Sequence, residues 1–206
     1  MSVSLTKGQK VSLTKENPGL KEIVVGLGWD AAQPSARSGG GLFGGLFSKQ
    51  EPVQDIDCDA SAILLKNGSY AGRDDLVYFG NLTHKSGAVW HTGDNLTGAG
   101  EGDDEQIVID LKKVPQQYDK IVIVVNIYAA YNRKQDFGMI DNAFVRIVDK
   151  ATDRELVRYD LTEDYPGMTG MIFGEVYRYN GEWKFSAIGQ GTRDGSISEM
   201  AKRYAK

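Results

Sequence analysis

The stretch that decides the fold is KIVIVVNIY, residues Lys120 to Tyr128. Its inner part, Ile121 to Val125, is apolar at every position and mostly β-branched, which favours a strand. A strand with one face in water alternates apolar and polar side chains, whereas a continuous apolar run is typical of a strand covered on both faces. We therefore predict a central, fully buried strand here.

Eight more runs rich in β-branched and aromatic residues lie on either side of this strand, and Gly, Asn or Asp bounds most of them. Short strands separated by such turns predict an all-β fold, an antiparallel-rich β-sandwich. Asn180-Gly181 between two alternating runs predicts a tight hairpin. The eight runs are Leu20–Leu27, Ile56–Leu65, Leu76–Phe79, Gln106–Leu111, Ala143–Val148, Glu155–Leu161, Met171–Tyr179 and Trp183–Ile188.

One short C-terminal helix is predicted at Ser196, because Glu199 follows at the spacing of a capping box. We expect this helix to cap the sandwich or to cover a sheet edge. The length of 206 residues suits a single domain over residues 1–206.

Composition excludes several classes of protein. The chain has 24 Lys and Arg against 28 Asp and Glu, so its net charge is −4, which does not favour nucleic acid as a partner. One cysteine permits no intrachain disulfide, and no signal peptide or transmembrane segment is evident. These features predict a cytoplasmic protein. Glycine is in excess, at 25 residues, about 12% against a usual ~7%.

Part of the glycine excess lies in SGGGLFGGLF, residues Ser38 to Phe47. We interpret residues 35–52 as a flexible loop inserted between strands. An alternative is an adhesive loop whose two Leu-Phe pairs dock on a partner protein or on a membrane. No basic residue lies among these pairs, so peripheral membrane association has no support in the sequence.

A second group of glycines shares GDNLTGAGEGDDE, Gly93 to Glu105, with five acids and no Lys or Arg. Glycine lets a backbone turn tightly and direct several carbonyl oxygens to one point. Carboxylates together with carbonyls supply the 6–8 oxygens that Ca²⁺ takes. An EF-hand is excluded, because Leu96 and Ala99 occupy its third and sixth positions. A solvated acidic turn is the other interpretation.

Two further segments carry acids. In DIDCDAS, Asp55 to Ser61, the strand period of two places Asp55, Asp57 and Asp59 on one face and Cys58 on the other. Like charges on one face are unfavourable unless water or a cation neutralises them, so either an exposed face or an ion site follows. VGLGWD ends at Asp30, which is a candidate ligand only beside the other two segments.

These three segments, in this order, resemble the tellurium-resistance TerD family. The N-terminal VSLTKGQKVSL and the FGMIDNAFVRI stretch from Phe137 extend the likeness over the whole chain. The resemblance implies a β-sandwich that binds one or two Ca²⁺ ions and works with other proteins of a bacterial stress or tellurite-resistance system. The metal ligands that it implies are Asp30, Asp57, Asp59, Asp94, Asn95, Thr97, Gly100, Gly102, Asp103, Asp104 and Glu105.

We expect a binding protein and no catalytic residues. One alternative is a Mg²⁺- or Mn²⁺-dependent hydrolase using the same acids, although His84 and His91 lie in no catalytic motif and are expected at the surface or in loops. Another alternative is a scaffold that assembles through the Leu-Phe loop. Cys58, expected inside between two acids, is a poor candidate for redox chemistry.

Overall fold

The computed structural model describes residues 2–31, 56–93 and 102–206. These residues form twelve strands: β1 Val3–Leu5, β2 Lys10–Ser12, β3 Glu22–Ala31, β4 Cys58–Leu65, β5 Leu76–Val77, β6 Val89–His91, β7 Glu105–Asp110, β8 Lys120–Ile127, β9 Ile140–Asp149, β10 Arg154–Asp160, β11 Gly170–Tyr179 and β12 Glu182–Thr192. They also form three short α-helices, α1 Leu13–Glu16, α2 Ala130–Arg133 and α3 Ile197–Lys202, and two 3-10 turns at Arg73–Asp75 and Phe137–Met139. In these parts of the chain, no helix has the length and apolar character needed to cross a membrane.

The strands form two six-stranded sheets that pack face to face. The first sheet has the order β1-β10-β9-β3-β7-β6 and the second the order β2-β12-β11-β8-β4-β5. Within the described residues, β1 and β10 form the one parallel pair, and the other pairs are antiparallel. The predicted antiparallel-rich sandwich is confirmed.

Strand β8 has both faces covered, as its continuous apolar run predicts. Ile121, Ile123 and Val125 point into the core between the sheets. Val122 and Val124 lie on the opposite face, in a second apolar cluster with Ile63, Leu65, Ile172 and the helix residues Ile197 and Met200. The C-terminal helix therefore covers the outer face of the second sheet, and our expectation that it caps the sandwich or covers an edge was wrong. The face it covers is apolar, which only the strand register reveals.

All nine predicted strands are present, with shifts at their ends. The hairpin is also confirmed, because Tyr179 pairs with Glu182 and both Asn180 and Gly181 have positive φ. The Ser196 side chain accepts a hydrogen bond from the Glu199 backbone N–H, as a capping residue does, while the Glu199 carboxylate accepts from Gly195. Strands β1, β2 and β6 were missed because three residues carry too little periodicity. The predicted loop at residues 35–52 lies outside the described residues.

Candidate metal-binding site

Two acidic segments meet at one end of the sandwich, because β4 and β7 both begin there. Asp57 and Asp59 lie at the start of β4, and Asp103 to Glu105 lead into β7. Cys58 lies between them with its side chain in the core. Burial raises the pKa of the Cys58 thiol well above its ordinary value, and four carboxylates raise it further: Asp59, Glu105, Asp57 and Asp104. The two segments therefore bring four carboxyl groups near one buried thiol.

Glu105 is the most deeply placed of these acids, with 2% of its surface exposed. It points into the core side of β7 and accepts a hydrogen bond from the backbone N–H of Ala60 on the facing sheet. Its Oε2 also lies 3.4 Å from His91 Nε2. The Gly93 N–H donates to His91 Nδ1 at 3.1 Å, so a neutral His91 carries its proton on Nε2, toward Glu105. The carboxylate thus connects the two sheets.

Asp104 occupies an environment dominated by other acids. Its Oδ2 accepts from the Trp29 backbone N–H at 2.8 Å, and its own N–H donates to the Leu27 carbonyl at 2.8 Å. Burial raises the pKa of Asp104, the Trp29 hydrogen bond opposes this, and Asp30 and Asp103 add to the rise. The net shift is upward. Its ionised form is therefore disfavoured unless a positive charge comes close.

Asp103 has such a positive charge from the protein itself. Its carboxylate accepts two hydrogen bonds from Arg146, at 2.6 Å from Nε and 3.1 Å from a terminal nitrogen, and a third from Gln106 at 3.1 Å. The side chain lies over Gly26, where an added Cβ would be 2.1 Å from a carboxylate oxygen. The glycine of β3 therefore makes room for a two-pronged ion pair, the strong geometry for Arg and carboxylate.

Asp59, Asp57 and Asp30 also have polar partners within the chain. Asp59 is buried and accepts from the Asn126 side-chain amide at 3.3 Å. The Asp57 carboxylate lies 3.7 Å from an Arg133 nitrogen. Asp30 is exposed and accepts from the Asn142 side chain at 2.8 Å. None of these contacts brings a full positive charge as close as Arg146 lies to Asp103.

An open cavity of about 320 Å³ lies beside this acidic end. Asp30 and Asp104 contribute to its wall together with Gly102, whose φ of 118° favours glycine. Gly28 allows β3 to lie close to Gly102 and to Phe144, because an added Cβ would be 2.9 Å from the Gly102 carbonyl and 2.5 Å from the Phe144 ring. The full lining is Trp29, Asp30, Gly102, Asp104, Asn142, Phe144 and Arg158.

The structure thus places seven of the eleven predicted ligands at one end: Asp30, Asp57, Asp59, Gly102, Asp103, Asp104 and Glu105. The other four, Asp94, Asn95, Thr97 and Gly100, lie outside the described residues. Within the described ranges, no group of three His, Cys, Asp or Glu side chains is arranged so that it could hold a metal ion. A complete site therefore needs oxygens beyond those of the described residues.

Sequence reasoning missed several partners of these acids. Arg146, Asn126 and Asn142 are isolated polar residues in strands, and no local pattern connects them to acids that are distant in sequence. The histidines were expected at the surface or in loops. His84 does lie in a loop but is 1% exposed, and His91 lies in β6 and is 4% exposed, so a surface position is wrong for both. His91 is buried because it packs at the sheet end against Glu105, and neither histidine lines the cavity.

This chain is similar to known proteins in sequence and in fold. A family model described as the TerD domain matches residues 1–204. Stress response protein SCP2 of Bacillus subtilis (strain 168) is 52% identical over 204 residues, which cover 99% of this chain and 100% of that protein. Tellurium resistance protein TerD of Serratia marcescens is 49% identical over 203 residues, 98% of this chain and 97% of that one.

One solved structure has a similar fold at much lower sequence identity. It is a homologue of telluride resistance protein (TerD) from Streptomyces coelicolor A3(2), and it aligns with a TM-score of 0.63 at 20% identity. The alignment covers 89% of this chain and 98% of that chain. The family match over almost the full length and the two close relatives decide the assignment: this chain belongs to the TerD family.

Proposed function

We propose that this protein binds Ca²⁺ at its acidic end and that the bound ion controls contacts with other proteins of a stress or tellurite-resistance system. Its relatives carry the names of stress response and tellurium resistance proteins. We propose a cytoplasmic binding protein without catalytic activity. Both ring nitrogens of His91 already have partners, and the thiol of Cys58 is buried, which supports a role without a base or a redox thiol at this end.

The observation that carries the proposal is the convergence of carboxyl groups from three separate chain segments at one end of the sandwich. Four of them raise the pKa of Cys58, and the acids next to Asp104 raise its pKa as well. Such crowding is unfavourable in the protein alone. A bound Ca²⁺ would supply two positive charges that offset this repulsion. Oxygen donors are also the ligands that Ca²⁺ selects.

The described residues do not contribute equally to the proposed site. Asp57, Asp59, Asp104 and Glu105 are the carboxylates that surround Cys58, and Asp30 and Gly102 border the cavity beside them. We assign Asp103 a positioning role, because Arg146 already neutralises it. The remaining oxygens are proposed to come from the sequence-predicted ligands Asp94, Asn95, Thr97 and Gly100. This set suffices for one or two ions.

Isothermal titration calorimetry with CaCl₂ tests the proposal directly. We expect saturable binding between micromolar and millimolar Ca²⁺. Because an ion that binds only the folded state stabilises it, unfolding at a hundredfold excess over Kd should cost about 2.7 kcal/mol more than in EDTA. Saturating Mg²⁺ should compete weakly, because Mg²⁺ demands a smaller and more regular site.

Asp104→Asn is the sharpest variant, since an amide oxygen can still accept the Trp29 N–H while the charge is removed. We expect Ca²⁺ affinity to fall at least about tenfold, with no loss of stability in EDTA because carboxylate repulsion is reduced. Asp153→Asn is the matched control. Asp153 lies in the turn between β9 and β10, at the opposite end of the first sheet, with a φ of 52° that Asn accepts. Absence of any binding heat up to millimolar Ca²⁺ would refute the proposal.

A further inference from the structure

A second surface lies next to the acidic end, around helix α2. We call it the α2 surface; it consists of Tyr128, Tyr131, Arg133, Lys134 and Arg193, all of them exposed. Tyr131 is 64% and Tyr128 48% exposed, which is high for large aromatic side chains. The helix itself is held firmly, because Ala130 and Gln135 are buried and the Gln135 N–H donates to the Ala130 carbonyl. The exposed side chains are therefore presented on a fixed support.

The backbone on both sides of α2 is strained. Six described residues other than glycine have positive φ, and four of them are Asn or Asp, which tolerate that region. The other two are Ala129 and Lys134, which directly precede and follow α2 with φ of 51° and 55°. Strain of this kind persists where the surrounding structure enforces it, and it is concentrated at binding and switching sites. The fold therefore holds Ala129 and Lys134 in a conformation that neither residue type favours.

The surface carries three cations, and one of them has an acidic partner. Arg133 has a contact with Asp57 at 3.7 Å and lies over the Tyr128 ring at 5.3 Å. Lys134 and Arg193 have no ion pair within the part of the chain that the structure describes. The Tyr131 hydroxyl donates to the Arg193 carbonyl, and the Tyr131 ring lies against Gly195. These contacts join α2 to the segment that contains Arg193.

We propose that the α2 surface binds an acidic segment of a partner protein. Tyr and Arg are the residue types enriched at the energetic centres of protein interfaces. Two aromatic faces offer apolar contact, while three cations select carboxylates. Nucleic acid binding draws on many phosphate contacts, which three cations do not supply, so a short acidic protein segment is the better fit.

The α2 surface is connected to the acidic end through Asp57. The Asp57 carboxylate contacts Arg133, and its backbone carbonyl accepts a hydrogen bond from the Tyr128 N–H at 2.8 Å. Engagement of Asp57 by a cation would weaken its attraction for Arg133 and leave that guanidinium available to a partner carboxylate. This coupling, though not the surface itself, rests on the proposed Ca²⁺ binding.

Fluorescence anisotropy tests the surface with a labelled synthetic peptide of about twelve residues made of Asp, Glu, Leu and Gly. We expect saturable binding that Arg133→Gln with Lys134→Asn weakens at least about tenfold. Asn at position 134 also suits the positive φ, so this variant is not expected to lose its fold. Lys15→Gln with Lys21→Asn is the control. It removes the same charge from exposed positions at the other end of β3, and it should change the affinity less than about twofold.

Tyr131→Ser gives a second test that leaves the charge unchanged, and it should weaken binding about fivefold or more. Equal effects of the charge variant and its control would overturn the proposal, as would tighter binding of an oligothymidine or of phosphatidylserine vesicles than of the peptide.

Peptide titrations in EDTA and in Ca²⁺ separate the α2 surface proposal from the Ca²⁺ proposal. Loss of affinity in the variants in EDTA supports the surface even if Ca²⁺ never binds. Ca²⁺-enhanced peptide binding that Asp57→Asn abolishes supports the coupling, and an equal affinity in both buffers contradicts it.

Discussion

Two regions at opposite ends of β4 bury carboxylates in opposite ways. Beyond the end of β4, Asp75 is 2% exposed and has three kinds of partner: the Tyr118 hydroxyl at 2.5 Å, Lys66 Nζ at 3.0 Å and His84 Nε2 at 3.6 Å. Burial alone raises the pKa of Asp75, but the hydrogen bonds from Tyr118 and Lys66 outweigh it and hold the pKa below its ordinary value. Near the start of β4, where the segment leading into β7 approaches it, the pKa of Asp104 is raised by burial and by neighbouring acids.

The comparison shows which carboxylates have their stabilising donors and cations within the chain. The environment of Asp75 contains its own donors and cation, so its charge contributes to stability. Asp104 has one backbone donor and acidic neighbours, so its charge costs stability until an external cation arrives. Asp103 lies next in sequence to Asp104 and yet belongs to the first type, because Arg146 neutralises it. Function is therefore expected where the chain leaves charge uncompensated.

The largest effect is expected for Asp75→Asn, measured by urea unfolding in EDTA. Removing this charge leaves Lys66 and Tyr118 without their carboxylate, which should cost roughly 3 kcal/mol. Asp74→Asn is the neighbouring control, because the Asp74 side chain is 81% exposed, and its effect should stay within about 0.5 kcal/mol. If Asp75→Asn lost no more than its neighbour, the contrast between the two regions would not hold.

Gly28→Ala should produce the next largest effect, because its Cβ would collide with the Gly102 backbone carbonyl and the Phe144 ring. We expect a loss of about 2 kcal/mol together with weaker Ca²⁺ binding, since the entry to β7 is displaced. Gly68→Ala, beyond the opposite end of β4, is the control. Its Cβ would meet nothing within 4 Å, so the only cost is the positive φ of 70°, about 1 kcal/mol, and Ca²⁺ binding should not change. Equal losses of Ca²⁺ affinity in the two variants would show that the approach of Gly28 to Gly102 does not matter for the site.

Acid titration should give the smallest effect, and it concerns His84. Burial lowers the pKa of His84 below its ordinary 6.5, although Asp75 opposes this. A lowered histidine pKa means that the unfolded chain takes up the proton first, so stability is lost as pH falls from 6.5 through the folded-state pKa. His84→Gln should therefore lose less stability than the original chain between pH 7.5 and about 5. Parallel losses in urea midpoints for both proteins would contradict this expectation.

Features that depend on neighbouring residues were predicted correctly from the sequence, and features that depend on distant residues were not. The KIVIVVNIY run predicted a strand covered on both faces, because period and composition are properties of neighbouring residues. The alternation in Asp57 to Ala60 likewise predicted which side chains enter the core, and Cys58 and Ala60 do so. The position of the C-terminal helix failed, since choosing a face requires knowing which apolar residues the register leaves uncovered.

The sequence by itself determined nine of the twelve described strands, the hairpin at Asn180-Gly181, the capped C-terminal helix and the segments that carry acids, because each of these depends on residues close together along the chain. Only the tertiary structure decided which acids are neutralised. Arg146 reaches Asp103 across 43 positions and Asn126 reaches Asp59 across 67, and no local pattern records either pairing. Electrostatic energy depends on distance in space, so two adjacent aspartates, one paired with Arg146 and one not, look alike until the chain has folded.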